Sequence, residues 1–185
     1  MNARPAASSN DLPLLPLDEV LRLLSDRVIE FLQCERCTIF IHDATTRELW
    51  SRVATGDNVR EIRMPQGTGF AGECFARGEA INIPDAYADP RFNREVDRTT
   101  GFVTRTILCT PIQRPDGLRV GVIQALNKRG GPFVRQDEAL LDVFSAQAAI
   151  TLQNALAEEA LESARRNESA LATRTRWCRS PMPAE

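Results

Sequence analysis

Histidine and lysine are nearly missing from this chain of 185 residues: His42 and Lys128 are the single examples, against 22 arginines. One histidine excludes any two-histidine metal site, the HExxH zinc hydrolases included. One lysine leaves almost no choice for Schiff-base chemistry or a phosphate-loop lysine. Neither sign of charge is in excess, because 23 basic and 25 acidic residues leave a net charge of −2. A binder of nucleic acid that works by neutralising phosphates is therefore not expected. The arginines are scattered, which fits codon usage better than a phosphate site. Long apolar runs are lacking too: none approaches the roughly 18 residues that span a bilayer. Met1 to Pro16 has one Arg and no continuous apolar stretch of the kind that directs secretion. The expected location is the cytoplasm, without membrane contact. What is present is an ordinary 43% of hydrophobic residues, on a chain long enough for one domain with a real core and tails.

Five cysteines, Cys34, Cys37, Cys74, Cys109 and Cys178, are an odd number without an export signal, so a disulfide framework is not expected. Cys34 and Cys37 form a CxxC. A zinc site would need two further ligands at suitable spacing, and no second CxxC or CxxH exists. A redox pair wants the first Cys at a helix N-terminus, whereas here a helix gives way to a strand. Both read best as small buried hydrophobes.

The chain divides into a loose arm over residues 1–16, a domain over 17–153 and a helical extension with a polar tail over 154–185. The arm holds Pro5, Pro13 and Pro16. Val20, Leu21, Leu24, Val28, Phe31 and Leu32 have helical spacing, and Asp18 and Glu19 suit the first turn. Cys37–Ile41 and Leu49–Val53 read as a hairpin, and Arg60–Met64 as a third strand. A glycine-bearing turn over residues 65–72 opens a short helix to about Arg77, which Gly78 stops. Ile81–Pro84 is a brief extended piece, and residues 85–101 a polar, partly helical excursion. Arg105–Ile112 and Val120–Asn127 are apolar strands joined by the turn Arg114-Pro115-Asp116-Gly117. A long helix starts near Arg135 and runs past Glu162. Residues 163–185 read as a frayed or disordered tail. Together these predict an α+β fold with a central antiparallel sheet of five or six strands between helical layers.

Several segments, taken in order, carry a resemblance. Arg36 to Asp43 resembles a first-strand motif; Glu61-Ile62-Arg63-Met64-Pro65 and Gly69-Phe70-Ala71-Gly72 follow, then Asn82-Ile83-Pro84-Asp85-Ala86-Tyr87 with Asp89-Pro90-Arg91-Phe92. Asp97, Thr100-Gly101-Phe102 and Thr104-Arg105 come next. Asn127, Lys128, Phe133, Asp137 and Glu138 match the signature written NKFDE. The ordered set, from about residue 17 to 153, resembles a GAF domain of the type found in cyclic-nucleotide phosphodiesterases and bacterial adenylyl cyclases. That resemblance implies the GAF fold, a small-molecule sensor rather than an enzyme, no required cofactor, and possible bound cAMP or cGMP.

The resemblance also names a site. Thr38, Gln124 and Thr104 would face the base. Phe70 and Ala71, or the helical piece near Thr100, would offer helix N-terminal amides to the phosphate. Asp97 and Thr104 are expected to line the ligand rather than the core, so that replacing them weakens binding without unfolding. Thr55 also falls in the ligand set, in a loop where Ala54-Thr55 departs from the Phe-Asp of phosphodiesterase members. An amide matches adenine's donor–acceptor edge, so Gln124 leans towards cAMP, though a flipped amide serves guanine. Lys128 and Asp137 would pair across the Gly130-Gly131-Pro132 turn and brace the pocket. Association is expected to be the output, because no catalytic domain follows in the sequence. The expected partners are a second copy, held through residues 17–32 and 140–162 with Leu152 and Leu156 at the seam, and an unidentified signalling effector. A ligandless dimerisation scaffold is the alternative. A free methionine sulfoxide reductase using Cys74 and Cys109 is more remote, with Cys74 expected to be activated by its place in a helix's first turns.

Overall fold

The computed structural model describes residues 17–54 and 62–177. Residues 1–16, Thr55, Arg60, Glu61 and Cys178 lie outside the described residues. Helix α1 (Leu17–Leu32) buries Leu21, Ser25, Val28 and Leu32, one per turn along a single stripe. Gln33 adopts a left-handed φ of 50°, which ends α1 and turns the chain straight into β1 (Cys34–Asp43). Strand β1 therefore begins three residues earlier than the β-rich run predicts, and the whole CxxC lies inside it. Neither Cys34 nor Cys37 is in a disulfide, and both are fully buried against α1. Burial pushes the Cys34 thiol up to about 11, and raises Cys37 as well.

The hairpin to β2 (Glu48–Ala54) closes on Asp43, whose carboxylate accepts from the N–H groups of Thr45 and Thr46 at 2.8 and 3.2 Å. Strands β3 (Arg63–Pro65), β4 (Ile81–Ile83), β5 (Ile107–Gln113) and β6 (Arg119–Lys128) complete one antiparallel sheet in the order β3-β2-β1-β6-β5-β4. Six strands agree with the α+β expectation. β6 sits centrally, and Gly121 lets it approach β1, because a Cβ there would lie 2.2 Å from the Phe40 carbonyl oxygen.

The two faces carry separate cores. Ile39, Leu108, Ile112, Ile123 and Ala125 pack under α1 and α4 (Arg135–Trp177). Phe40, Ile107, Cys109 and Val122 pack under α2 (Gly69–Arg77). The shortest of the four described helices, α3 (Arg94–Thr100), belongs to the loop region between β4 and β5.

α4 corrects two expectations. It continues through residues 163–177, which the small polar composition reads as frayed; the segment holds no Gly or Pro, and seven of its fifteen residues are the good helix formers Ala and Arg. At about 1.5 Å per residue its 43 residues reach roughly 65 Å. Ala149 and Leu152 are 1% and 2% exposed within the chain's own core, so Leu152 is not available to a dimer seam. Among the described side chains of α4, the large apolar ones left exposed are Val143 and Ile150; the Leu156 side chain lies outside those described. Among the described residues no helix is long and apolar enough to cross a membrane.

Candidate ligand-binding site

On the α2 side of the sheet, strand register sets Thr38, Gln124, Cys109 and Ile81 side by side across four strands. Thr38 and Gln124 are polar in a row flanked by Phe40, Val122, Ile107 and Leu126. Gln124 Nε2 donates to Cys109 Sγ at 3.4 Å.

Over this floor lies α2, with Phe70, Ala71, Cys74 and Phe75 buried on it. Thr68 occupies the N-cap position without a side-chain hydrogen bond, so the first-turn amides, Phe70 and Ala71 among them, have no side-chain cap. Gly72 must be glycine, because a Cβ would sit 2.8 Å from Gly67 N. At the other end Arg119 donates to the carbonyls of Phe75 and Ala76 at 2.7 and 2.6 Å, capping the helix with a cation where its dipole is negative.

The segment from Pro84 to Thr104 forms a side wall. Arg91 donates to both oxygens of Asp89, at 3.0 and 2.7 Å, and to Glu73 of α2 at 2.8 Å, while its guanidinium lies 5.1 Å from the centroid of Phe70. Phe92 sits between Phe70 and Tyr87. The Tyr87 hydroxyl donates to Asp97 Oδ2 at 3.1 Å. Thr104 donates to Asp97 twice, from its N–H at 2.6 Å and from its hydroxyl at 2.8 Å. Both residues are buried.

The structure thus brings Thr38 and Gln124 together on the floor, and places Phe70 and Ala71 in α2. Asp97 and Thr104 satisfy one another, so substituting either costs fold stability, contrary to the expectation that they are free of the core. Thr100 needs a larger correction. It lies in the last turn of α3, with Gly101 in the left-handed cap position (φ 70°) and its N–H bonded to the Asp97 carbonyl. That end presents carbonyls and repels a phosphate. The N-terminus of α3 is at Asn93, whose side chain accepts from Glu95 N–H. Thr55 lies outside the described residues.

The five signature residues brace the fold. Asn127, fully buried, accepts from the N–H groups of Arg105 (2.6 Å) and Thr106 (3.3 Å) and donates to Glu35 and the Val103 carbonyl, each at 2.8 Å. Lys128 pairs with Asp137, whose other oxygen accepts from Val134 N–H at 2.7 Å, in the manner of a capping box at the start of α4. Glu138 accepts from Asn82, which also donates to the carbonyl of buried Phe133. Sequence reading missed the Cys109–Gln124 contact and the reach of Asn127. The one available signal was an Asn, poor in strands, at the end of an apolar strand.

Cys74 reverses its expectation. Burial raises its thiol, and Cys109 is likewise pushed up to about 12, so both stay protonated despite the helix turn beside Cys74. Among the described residues no group of three or more His, Cys, Asp and Glu could hold a metal ion.

A family model for the GAF domain matches residues 16–152. The chain belongs to the GAF family. Its GAF domain is 34% identical over 154 residues to a probable 3′,5′-cyclic phosphodiesterase, pde-5, of Caenorhabditis elegans, and 36% identical over 160 residues to the dual 3′,5′-cyclic-AMP and -GMP phosphodiesterase 11A of Takifugu rubripes. These matches take in 77% and 80% of this chain but only 21% and 17% of those proteins. In fold it is similar to the GAF domain of a phosphoenolpyruvate-protein phosphotransferase from Coxiella burnetii, with a TM-score of 0.71, 24% identity and coverage of 80% and 89%. It is similar too to the free methionine-R-sulfoxide reductase of Neisseria meningitidis, with a TM-score of 0.67, 18% identity and coverage of 79% and 83%.

The wall of this GAF domain should loosen in acid. Arg91, through its side chain and its N–H, holds Asp89 down at about 2. A depressed carboxylate adds stability that is complete above its unfolded value near 4 and is lost as the pH falls towards 2, following roughly the linkage relation. Arg91→Gln, which keeps the N–H, should bring the Asp89 titration, followed by carboxyl NMR, part of the way back towards the ordinary aspartate range. An unchanged titration would show that Arg91 does not hold it.

Proposed function

We propose that this GAF domain is a regulatory sensor that takes a cyclic nucleotide on the α2 side of its sheet and passes the response to a second copy through α1 and α4. The observation that carries the reading is the Thr38–Gln124 pair: two adjacent polar side chains flanked by Phe40, Val122, Ile107 and Leu126, on the sheet face that an uncapped helix start covers. A purine needs polar partners at its edge, and an anionic phosphate is suited to free amides. The likeness to GAF regions of two cyclic-nucleotide phosphodiesterases supports the same ligand class. Adenine is favoured over guanine, since an amide with a hydroxyl beside it matches a donor next to an acceptor.

The test is a thermal-shift and calorimetry panel of cAMP, cGMP, cyclic dinucleotides and methionine sulfoxide. A native-state ligand at 100 times its Kd adds about 2.7 kcal/mol. Stabilisation by cAMP above the others is expected. A shift with methionine sulfoxide alone would favour the reductase, against which the buried, protonated Cys74 and Cys109 stand. One observation favours the ligandless scaffold: Asp97 and Thr104 spend their hydrogen bonds on each other. No shift with any compound, in a protein that still dimerises, would establish that reading instead.

The dimer rests on leftover apolar surface. Val143 and Ile150 on α4 are 66% and 49% exposed, and Phe31 on α1 is 60% exposed beside Phe144. Val143→Glu with Ile150→Glu should convert a dimer into a monomer by sedimentation while leaving the melting temperature of the domain little changed. A wild-type monomer at tens of micromolar would defeat this route.

A further inference from the structure

We propose that Cys109 fixes which way the Gln124 side-chain amide faces, so that the pocket presents Gln124 Oε1 as an acceptor and selects a base whose edge donates to it. This rests on the cyclic-nucleotide reading above and adds to it a positioning residue and a rule of selectivity.

A glutamine amide has a donor end and an acceptor end, and rotating it by half a turn exchanges them. On this floor the two cross-strand neighbours of Gln124 differ. Thr38 on β1 carries a hydroxyl that donates or accepts equally well. Cys109 on β5 is fully buried, and its sulfur lies 3.4 Å from Nε2. An amide N–H is a stronger donor than a thiol S–H, so the arrangement with nitrogen towards sulfur is the better of the two. Burial keeps the thiol neutral, so it stays a weak but constant partner. A planar amide anchored by nitrogen on the β5 side carries its oxygen away from β5, towards the Thr38 strand.

The pocket then offers an acceptor from Gln124 beside a hydroxyl from Thr38. Adenine answers with its exocyclic amine and a ring nitrogen, leaving nothing unpaired. Guanine's Watson–Crick edge also donates, one donor to Oε1 and the next to the Thr38 hydroxyl, so the rule separates purines with a donor at this edge from those without one. Cys109 itself touches no ligand in this scheme; it acts through Gln124.

The experiment compares, by calorimetry, binding of cAMP and of purine riboside 3′,5′-cyclic monophosphate, in which hydrogen replaces the amine. The probes differ by one donor, so wild type should prefer cAMP by about tenfold, the upper end of what one neutral hydrogen bond supplies. Cys109→Ala should reduce that preference to about twofold, because the amide then turns freely, and Cys109→Ser, whose hydroxyl partners either end of the amide, should not restore it in full. A destabilised fold would weaken both probes together and leave their ratio alone. An unchanged ratio in Cys109→Ala overturns the proposal, as does a wild type that binds both probes equally, while each of those results leaves the cyclic-nucleotide reading standing. Wild type that binds no nucleotide removes both. Should Cys109→Ala fail to fold, proton exchange at the Gln124 amide in cAMP-bound wild type decides: slow exchange of one proton supports the anchor, and fast exchange of both overturns it.

Discussion

Asn127→Ala is expected to lower the stability of the domain by about 3–5 kcal/mol, a large share of the 5–15 kcal/mol that domains possess. The side chain makes four hydrogen bonds from a fully buried position, to β1 through Glu35, to the approach to β5 through Val103, Arg105 and Thr106, and from the end of β6. Truncation leaves two N–H groups, a carbonyl and a carboxylate without it. Glu35 is affected most directly, because the Asn127 hydrogen bond is the foremost reason its carboxyl lies below the ordinary glutamate range. The backbone adds to the loss. Asn127 sits at φ 57°, a region that asparagine tolerates and alanine occupies at a cost of about 1 kcal/mol. Asn127→Gly removes that second part alone, so it should recover roughly 1 kcal/mol of the alanine loss. Urea unfolding of the three proteins separates the two contributions. A loss below about 1 kcal/mol in the alanine variant would mean that water replaces the side chain freely and that the brace is not one.

Gly121→Ala should cost about 3 kcal/mol, at the upper end for overpacking. The added carbon would stand 2.2 Å from the Phe40 carbonyl oxygen and 3.3 Å from Ile112 Cδ1. The first obstacle is backbone at the end of the β1–β6 pairing, beside the terminal Ile41–Gly121 pair, and it cannot rotate away as a side chain would. The strands must part or shift. Gly130→Ala is the matched control: it has open space around the new carbon but a φ of 85°, so its cost should be that of conformation alone, about 1 kcal/mol. Equal losses at the two positions in thermal unfolding would show that the close approach of β1 and β6 is softer than the geometry says.

The parts of this molecule that follow from local pattern were legible from its residues. The stripe of α1, the alternation of the paired strands and the turn at Asp116-Gly117 are short-range signals, and each appears where its spacing puts it. The polarity of α3 was not legible. Thr99-Thr100-Gly101 looks like the opening of a helix, yet Gly101 closes one, because the cap that decides it is Asn93. The start of β1 was hidden by Gln33, whose left-handed turn leaves no trace in hydropathy. In the site, Thr38 and Gln124 were named through family likeness, while the Cys109 contact required strand register that no local pattern encodes. Asn127 shows the same limit: its partners lie at residues 35, 103, 105 and 106, brought to it only by the folded sheet.

β5 is a partition one peptide thick. Cys109 faces α2, while its immediate neighbours Leu108 and Thr110 face α4, and Ser145 of α4 donates to the carbonyl of Pro111 one step further along at 2.5 Å. Any displacement of the Gln124–Cys109 row would therefore be shared by the strand on which α4 rests, with no loop between them. α4 rests on that strand near one end; among its described side chains Leu152 is the last in the core, and the helix runs some 25 residues further to Trp177. The geometry is that of a short input arm and a long output arm about a common fulcrum.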